Sequence, residues 1–157
     1  MAKIALDPTP FHHTNSFLDF PDVAAKAGFE WLQVTPHPDF IPFFNHPKAD
    51  TELVKTFKKR AKDAGVGLAS TLPVIRWSSP DPDAREAAVR NFKRVLQITQ
   101  ELEVPYIGTE FSGRPEKAEE SERAFYRSME ELVPLIEKSG VKVFIEDRKS
   151  TRLNSSH

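Results

Sequence analysis

Two carboxylates in this chain stand where acid–base or metal chemistry could take place. Glu146 ends the apolar run VKVFIE, and Glu110 comes near the end of the run VPYIGTEF. A carboxylate at the end of a buried strand must be paired, hydrated or ligating, because an isolated buried charge is costly. The chain has no cysteine, so carboxylate and imidazole are the groups that could hold a metal ion. We predict functional roles for both glutamates; a salt bridge from Glu110 to Arg76 or Arg114 is the alternative.

Histidine, arginine and tryptophan follow the other apolar runs. His12 and His13 come after the first run, and His37 lies between two prolines after the second. Arg76 and Trp77 follow the third, where a planar cation beside an indole suits a polar ring such as a sugar. Each of these residues has a plainer explanation as an ordinary loop or surface residue. We predict that these five side chains, together with Glu110, bind a small-molecule substrate.

The elements that must hold these residues are short strands that alternate with helices. Apolar runs predict strands, and apolar residues at helical spacing predict helices between them. Asp50 is a predicted N-cap, Pro82 a first-turn residue, and Gly28 and Gly65 end two of the helices. The predicted strands cover residues 3–7, 29–34, 66–71, 104–111 and 141–146, and the predicted helices cover residues 19–27, 51–64, 83–102 and 115–139.

This alternation narrows the fold to two classes. Strands separated by helices pair in parallel with right-handed crossovers, in a doubly wound sheet or a (β/α)8 barrel. The first turn reads PTPFHH rather than G-x-G-x-x-G, which argues against a nucleotide-binding sheet. A TIM barrel needs about 250 residues, so five strands and four helices would make a partial barrel. Barrel enzymes place catalytic groups at the carboxyl ends of the strands, where all the candidate residues fall.

Residues 147–157 differ in character from the rest of the chain. The segment DRKSTRLNSSH has no apolar periodicity and resembles the translation of a common DNA sequencing adapter. We therefore exclude it from the fold, as one excludes a fusion scar. The predicted organisation is residues 1–146 as the amino-terminal half of a TIM barrel and residues 147–157 as a non-native, disordered tail. An ordinary polar terminus is the alternative.

Charge and hydropathy narrow the function classes. The 22 basic and 23 acidic side chains give a net charge of −1, which does not indicate a nucleic-acid surface. No apolar run approaches the roughly 20 residues that span a bilayer, and the first residues lack the apolar stretch of a signal peptide. We expect a cytoplasmic protein with neither nucleic acid nor membrane as a partner.

Several longer stretches carry a resemblance to a known family. Over residues 1–146 the chain resembles the sugar phosphate isomerase/epimerase group of the xylose isomerase-like TIM-barrel superfamily. Within that group it is most similar to the C-glycoside deglycosidase α-subunit type. The stretches are ALDPTPFHH, EWLQVTPHPDFIPFFNHPKAD, DAREAAVRNFKRVLQIT, TEFSGRPEKAEESE and VFIE.

The resemblance implies a metal-dependent sugar enzyme. In this superfamily Mn²⁺ or Mg²⁺ is bound by a glutamate at the end of strand five, which Glu146 matches, and by residues of later strands. The cation would polarise a substrate carbonyl while the ligating glutamate takes the neighbouring proton, which leads to isomerisation or epimerisation. With a leaving group β to the new carbanion, the same step gives elimination from a 3-keto C-glycoside. The residues do not decide between these reactions.

The resemblance also implies what this chain lacks. Counterparts of the other metal ligands are missing, so we expect that the fragment binds no metal. A truncated product without activity is therefore a third alternative for this chain. The intact parent would act on a sugar or glycoside, with a β-subunit or as a homo-oligomer. A DNA-repair endonuclease and a half-barrel that dimerises are less favoured, the first because the net charge is not basic.

Long-read sequencing of the source DNA across codon 146 tests the predicted boundary. We expect the natural frame to continue into strands that carry an Asp, a His and a second Glu. A natural frame that encodes DRKSTRLNSSH would contradict the prediction.

Overall fold

The structure is a computed structural model of the chain and describes residues 3–146. Five strands alternate with four α-helices, as the sequence predicts. The strands are β1 (Ala5–Leu6), β2 (Trp31–Val34), β3 (Gly67–Thr71), β4 (Tyr106–Glu110) and β5 (Lys142–Glu146), and the helices are α1 (Phe20–Lys26), α2 (Thr51–Asp63), α3 (Pro82–Glu101) and α4 (Ala118–Ser139). Short 3-10 helices span Thr9–Phe11, Phe17–Asp19 and Pro115–Lys117.

The strands form one open sheet in the order β1-β2-β3-β4-β5, and every neighbouring pair is parallel. Sequential order with a helix in every crossover is the arrangement of a TIM barrel that has not closed. The predicted fold class, a partial α/β barrel of five strands and four helices, is confirmed. Because all strands run the same way, their carboxyl ends lie along one rim.

Local sequence signals set the helix ends. The Asp50 side chain accepts a hydrogen bond from the Leu53 amide at 2.8 Å, which satisfies one free donor at the start of α2. Gly140 ends α4 with φ +73°, in the left-handed region where a residue without Cβ is least strained. The predicted helices are therefore confirmed, with ends that differ by a few residues. No helix in the described range is long and apolar enough to span a membrane.

The hydrophobic core lies between the sheet and the helices. Leu32 and Val34 of β2 are buried in it. Above them the Phe17 ring stacks on Phe40 and Phe57, with ring centroids 4.0 Å and 4.3 Å apart. This stack joins the segment before α1, the loop after β2, and α2. It thereby fixes the loops that carry the rim residues onto the sheet.

The two edge strands differ from the sequence prediction. A buried strand is predicted over residues 3–7, but only Ala5–Leu6 pairs with β2, and Ile4 is 74% exposed. At the other edge, Phe144 of β5 is 59% exposed. Both exposures have the same cause, because each edge strand pairs with only one other strand among the described residues. The predicted tail, residues 147–157, lies outside the described residues, so the boundary at 146 stays a prediction.

We expect Phe57→Ala to lower the free energy of unfolding by about 3–5 kcal/mol, because it leaves a cavity beneath Phe17 and Phe40. Urea denaturation followed by circular dichroism measures the loss. Lys62→Ala is the matched control, since Lys62 is an exposed residue of α2 and should change stability by no more than about 0.5 kcal/mol. Equal effects of the two substitutions would show that the aromatic stack does not hold α2.

Candidate functional site

The rim formed by the carboxyl ends of β3 and β4 contains a cleft of about 210 Å³. Residues from three loops and one strand end line it. They are Phe44, Arg76, Ser79, Glu110, Ser112, Gly113 and Arg114. Two of the predicted site residues, Arg76 and Glu110, therefore share one cavity. The parallel sheet brings them together from positions 34 residues apart in the sequence.

Glu110 and Glu146 are direct neighbours in the sheet. They are register partners in β4 and β5, and the Phe111 amide donates to the Glu146 carbonyl at 3.1 Å just beyond them. Neighbouring strands lie about 4.8 Å apart, and paired residues project from the same face. The two predicted carboxylates are thus side by side at the rim. Glu146 is exposed, so a substrate can reach it.

A buried frame holds Glu110 in place. The Trp77 indole N–H donates to the Glu110 carbonyl at 3.0 Å, and the Ser112 hydroxyl donates to the Glu110 carboxylate at 3.1 Å. Ser78 donates a short hydrogen bond to the Phe111 carbonyl. These contacts fix both the backbone and the carboxylate of Glu110, which reduces the reorganisation needed when a ligand binds.

Trp77 lies below the cleft and not in it. The sequence predicts that it binds substrate, but its side chain is fully buried against Phe92 and Phe125. It offers no surface for a substrate in this structure. The apolar ring fills the space between α3 and α4 while its one donor is satisfied by the sheet, so its contribution is to position Glu110.

Arg76 lies over an aromatic ring. Its guanidinium carbon is 4.3 Å from the centroid of Phe44, a distance at which the cation is attracted to the ring face. Phe44 itself has φ +59°, which is unusual for a residue with a Cβ, and its amide donates to the Val74 carbonyl at 3.0 Å. Such backbone strain persists only where neighbouring contacts enforce it. The loop after β2 is therefore held against the loop that presents Arg76.

His12 and His37 form a second group on the rim, after β1 and β2. Their rings meet edge to face with centroids 4.9 Å apart, and His12 also stacks on Phe20 at 5.5 Å. The Asp39 amide donates to His37 Nδ1 at 3.1 Å, so Nε2 carries the proton of the neutral ring. His12 Nε2 is buried and has no hydrogen-bond partner within residues 3–146.

Burial lowers the pKa of both imidazoles below the ordinary value of 6.5. For His12 desolvation is the largest cause; the Asp7 carboxylate opposes it, and His13 adds a smaller lowering. For His37 desolvation again dominates, and the neighbouring His12 lowers the pKa further. A positive charge on His12 would lie beside the His37 ring, which disfavours protonation of His37. Both rings are therefore neutral at pH 7.

One predicted site residue lies outside the cleft, and the cleft also contains residues that the sequence does not predict. His13 is exposed and is not a lining residue of the cleft. Phe44, Ser112 and Arg114 line it without having been predicted as site residues, although Arg114 was considered as an ion-pair partner of Glu110. Their only sequence signal is position, in the loops after β2 and β4. Nothing in their spacing shows that these two loops meet.

Metal binding by these residues alone is not supported. No group of three or more His, Asp or Glu within the described residues could hold a metal ion. Glu110 and Glu146 supply two neighbouring carboxylates, whereas Mn²⁺ and Mg²⁺ take about six ligands, of which several can be water or substrate. The described residues thus do not fit a complete site for the predicted Mn²⁺ or Mg²⁺.

Comparison with known proteins identifies the type of barrel. The family model for xylose isomerase-like TIM barrels matches residues 21–154. A D-tagatose 3-epimerase-like protein superposes with a TM-score of 0.72 at 13% identity, covering 96% of this chain and 55% of its own. A search of curated protein sequences finds no match.

Two further solved structures have similar folds. D-psicose 3-epimerase from Clostridium cellulolyticum H10, crystallised with D-tagatose, gives a TM-score of 0.65 at 22% identity and covers 82% of this chain and 46% of its own. The 3-keto-D-glucoside 4-epimerase of E. coli gives 0.64 at 13% identity, with 92% and 56% covered. At these identities the likeness concerns the fold. The chain spans about half the length of the structures it matches.

The histidine pair makes stability depend on pH. The pKa of each imidazole lies below its ordinary value of 6.5 in the folded state. At a pH between the folded-state pKa and 6.5 the unfolded chain binds more protons, so stability rises with pH. The stabilising contribution is complete above pH 6.5 and is lost as pH falls through the lowered pKa values. Urea midpoints measured between about pH 7.5 and about pH 5.5 should therefore fall with decreasing pH.

His37→Gln tests the assignment, because glutamine keeps an acceptor for the Asp39 amide but does not titrate. We expect a smaller loss of stability over the same pH interval, whatever the variant's absolute stability. Identical pH slopes for parent and variant would exclude the pair as the source of the effect.

Proposed function

Because the chain belongs to the xylose isomerase-like TIM barrel family, we propose that it carries the amino-terminal half of the active site of a sugar isomerase or epimerase. The observation that carries this proposal is the pairing of Glu110 with Glu146 at the carboxyl ends of β4 and β5. Catalytic groups of barrel enzymes occupy this rim. The structural neighbours include proteins described as epimerases of D-psicose and of a 3-keto-D-glucoside, which supports a sugar as the substrate class.

Glu146 is the proposed base. Its exposed carboxylate takes the proton from the carbon next to a substrate carbonyl, and the electron pair of that C–H bond moves into the carbonyl to form an enediolate. Protonation of the same carbon on its opposite face, by a second acid group beyond Glu146, gives an epimer; protonation of the neighbouring carbon, with transfer of the hydroxyl proton between the two oxygens, gives an isomer. Glu110 accepts a hydrogen bond from a substrate hydroxyl.

The metal dependence of this reaction is also a proposal. A divalent cation such as Mn²⁺ or Mg²⁺ would stabilise the enediolate when bound. The described residues do not complete such a site, so we derive no step through a metal. Glu146 would act as a ligand only together with residues outside 3–146.

Elimination from a 3-keto C-glycoside is the second candidate. It shares the first step, abstraction of a proton next to a carbonyl, and differs because a β leaving group departs with the electron pair. The similarity in fold to a protein described as a 3-keto-D-glucoside 4-epimerase favours keto-sugars as the compounds to test for both reactions. The location in the cytoplasm and a β-subunit or homo-oligomeric partner stay predictions.

Proton abstraction can be measured directly in D₂O. We expect the 157-residue chain, assayed with and without added Mn²⁺, to exchange the proton next to the carbonyl of D-fructose or a 3-keto-glucoside, followed by ¹H NMR. Glu146→Gln should slow exchange by about 100-fold or more, because glutamine cannot accept the proton. Release of an aglycone from a 3-keto C-glycoside would identify elimination.

Glu122→Gln is the matched control, since Glu122 is an exposed residue of α4 outside the cleft. It should leave the exchange rate unchanged. A folded chain that exchanges no proton under any of these conditions would contradict the proposal for this chain and favour the inactive truncated product.

A further inference from the structure

Two guanidinium groups share the rim cleft. Arg76 and Arg114 both line it. Within the part of the chain that the structure describes, neither makes an ion pair, whereas Arg60, Arg85 and Arg94 each do. Two positive charges that line one cleft attract an anion, and the single negative charge of Glu110 in the same cleft offsets only one of them. This arrangement is therefore one that a bound anion would stabilise.

The Arg76 guanidinium is oriented before any ligand binds. Its guanidinium carbon lies 4.3 Å from the centroid of the Phe44 ring, and this contact restricts where the guanidinium can lie. The Arg76 carbonyl accepts from the amide of the buried Ser79 at 3.0 Å, so the backbone is held as well. A planar fork with a restricted orientation is suited to bidentate hydrogen bonds with carboxylate or phosphate oxygens.

Arg114 reaches the cleft from the loop after β4, where its backbone is anchored. Its amide donates to the hydroxyl of Ser121 at 3.0 Å, and Ser121 is fully buried at the start of α4. The preceding Gly113 lies so close to Phe111 that a Cβ there would be 2.2 Å from the ring. A Cβ at this position would have to displace the Phe111 ring, and Arg114 follows directly in the same loop.

The charges in the cleft restrict the ligand further. Arg76 and Arg114 supply two positive charges and Glu110 one negative charge, while Ser79 and Ser112 add hydroxyls. An anionic group would bind at the arginines, and its neutral, hydroxyl-bearing part would lie toward Glu110. A small inorganic anion alone would satisfy only the arginine side. At about 210 Å³ the cleft suits one part of a ligand and not the whole, since complete ligand pockets are about 300–1,000 Å³.

We propose that Arg76 and Arg114 form a subsite for an anionic substituent of the substrate, a carboxylate or a phosphate, so that the preferred substrate is an acidic or phosphorylated sugar. This inference rests on the proposed function for its sugar, but the anion subsite itself can be tested separately. The subsite orients the sugar with its hydroxyls toward Glu110 and its reacting carbon toward the adjacent Glu146.

Calorimetric titration of the chain with inorganic phosphate, D-fructose 6-phosphate, D-gluconate and D-fructose tests the subsite. We expect both anionic sugars to bind more tightly than D-fructose and their dissociation constants to rise with NaCl concentration. Arg76→Gln and Arg114→Gln should each weaken the binding of the anionic sugars by about tenfold or more. Tighter binding of the phosphate ester identifies phosphate as the preferred group, and tighter binding of gluconate identifies carboxylate.

Arg90→Gln is the matched control, because it removes the same charge from an exposed position of α3 outside the cleft. Arg76→Lys should give an intermediate affinity, since lysine keeps the charge but loses the planar fork. Circular dichroism confirms that each variant is folded. Equal loss of affinity in Arg76→Gln, Arg114→Gln and Arg90→Gln would overturn the subsite, as would equal affinity for D-fructose and the anionic sugars.

The two proposals fail in distinguishable ways. Arginine-dependent binding of phosphate sugars without any proton exchange in D₂O would retain the subsite and reject the isomerase or epimerase. Proton exchange of D-fructose at a rate that neither arginine substitution alters, with no preference for the anionic sugars, would retain the enzyme and reject the subsite.

Discussion

Parallel pairing of the five strands is the constraint on which the site depends. Because each strand runs in the same direction as its neighbour, every loop that follows a strand emerges at one rim. The β4–β5 register then places Glu110 beside Glu146, although 36 positions separate them in the chain. A shift of one residue in that register would turn one of the two carboxylates toward the helices. The acid–base chemistry that we propose therefore follows from the hydrogen-bond ladder of these two strands.

Aromatic side chains near the rim hold the site residues in position. Trp77 fills the space against Phe92 and satisfies its indole N–H on the Glu110 carbonyl. Phe44, in a strained backbone conformation, carries the guanidinium of Arg76. Rotamer-rich side chains such as arginine lose entropy when a ligand immobilises them, and this prior ordering reduces the loss. The aromatic residues thus contribute to the site by holding other residues in position, and Trp77 does so without touching the ligand.

Sequence reasoning recovered the order and type of the five strands and four α-helices, because caps, glycines and apolar spacing act within a few residues of one another. The Asp50 cap and the left-handed Gly28, Gly65 and Gly140 all lie at helix ends. It failed at the sheet edges, where Ile4 is exposed. The local sequence around an apolar residue does not show whether a further strand covers that residue in the folded protein. The pairing partner is a property of the whole sheet and not of the local run.

The sequence by itself determined the fold class, the family resemblance and the end of the strands at which polar residues collect. Those features arise from local periodicity and from the fixed handedness of β-α-β connections. Only the tertiary structure decided that Trp77 is buried, that His12 meets His37, and that Arg114 joins Arg76 in one cleft. An indole beside an arginine is equally consistent with a ligand contact and with a core residue. Burial and long-range contact depend on which surfaces meet, and that information is distributed over loops far apart in the chain.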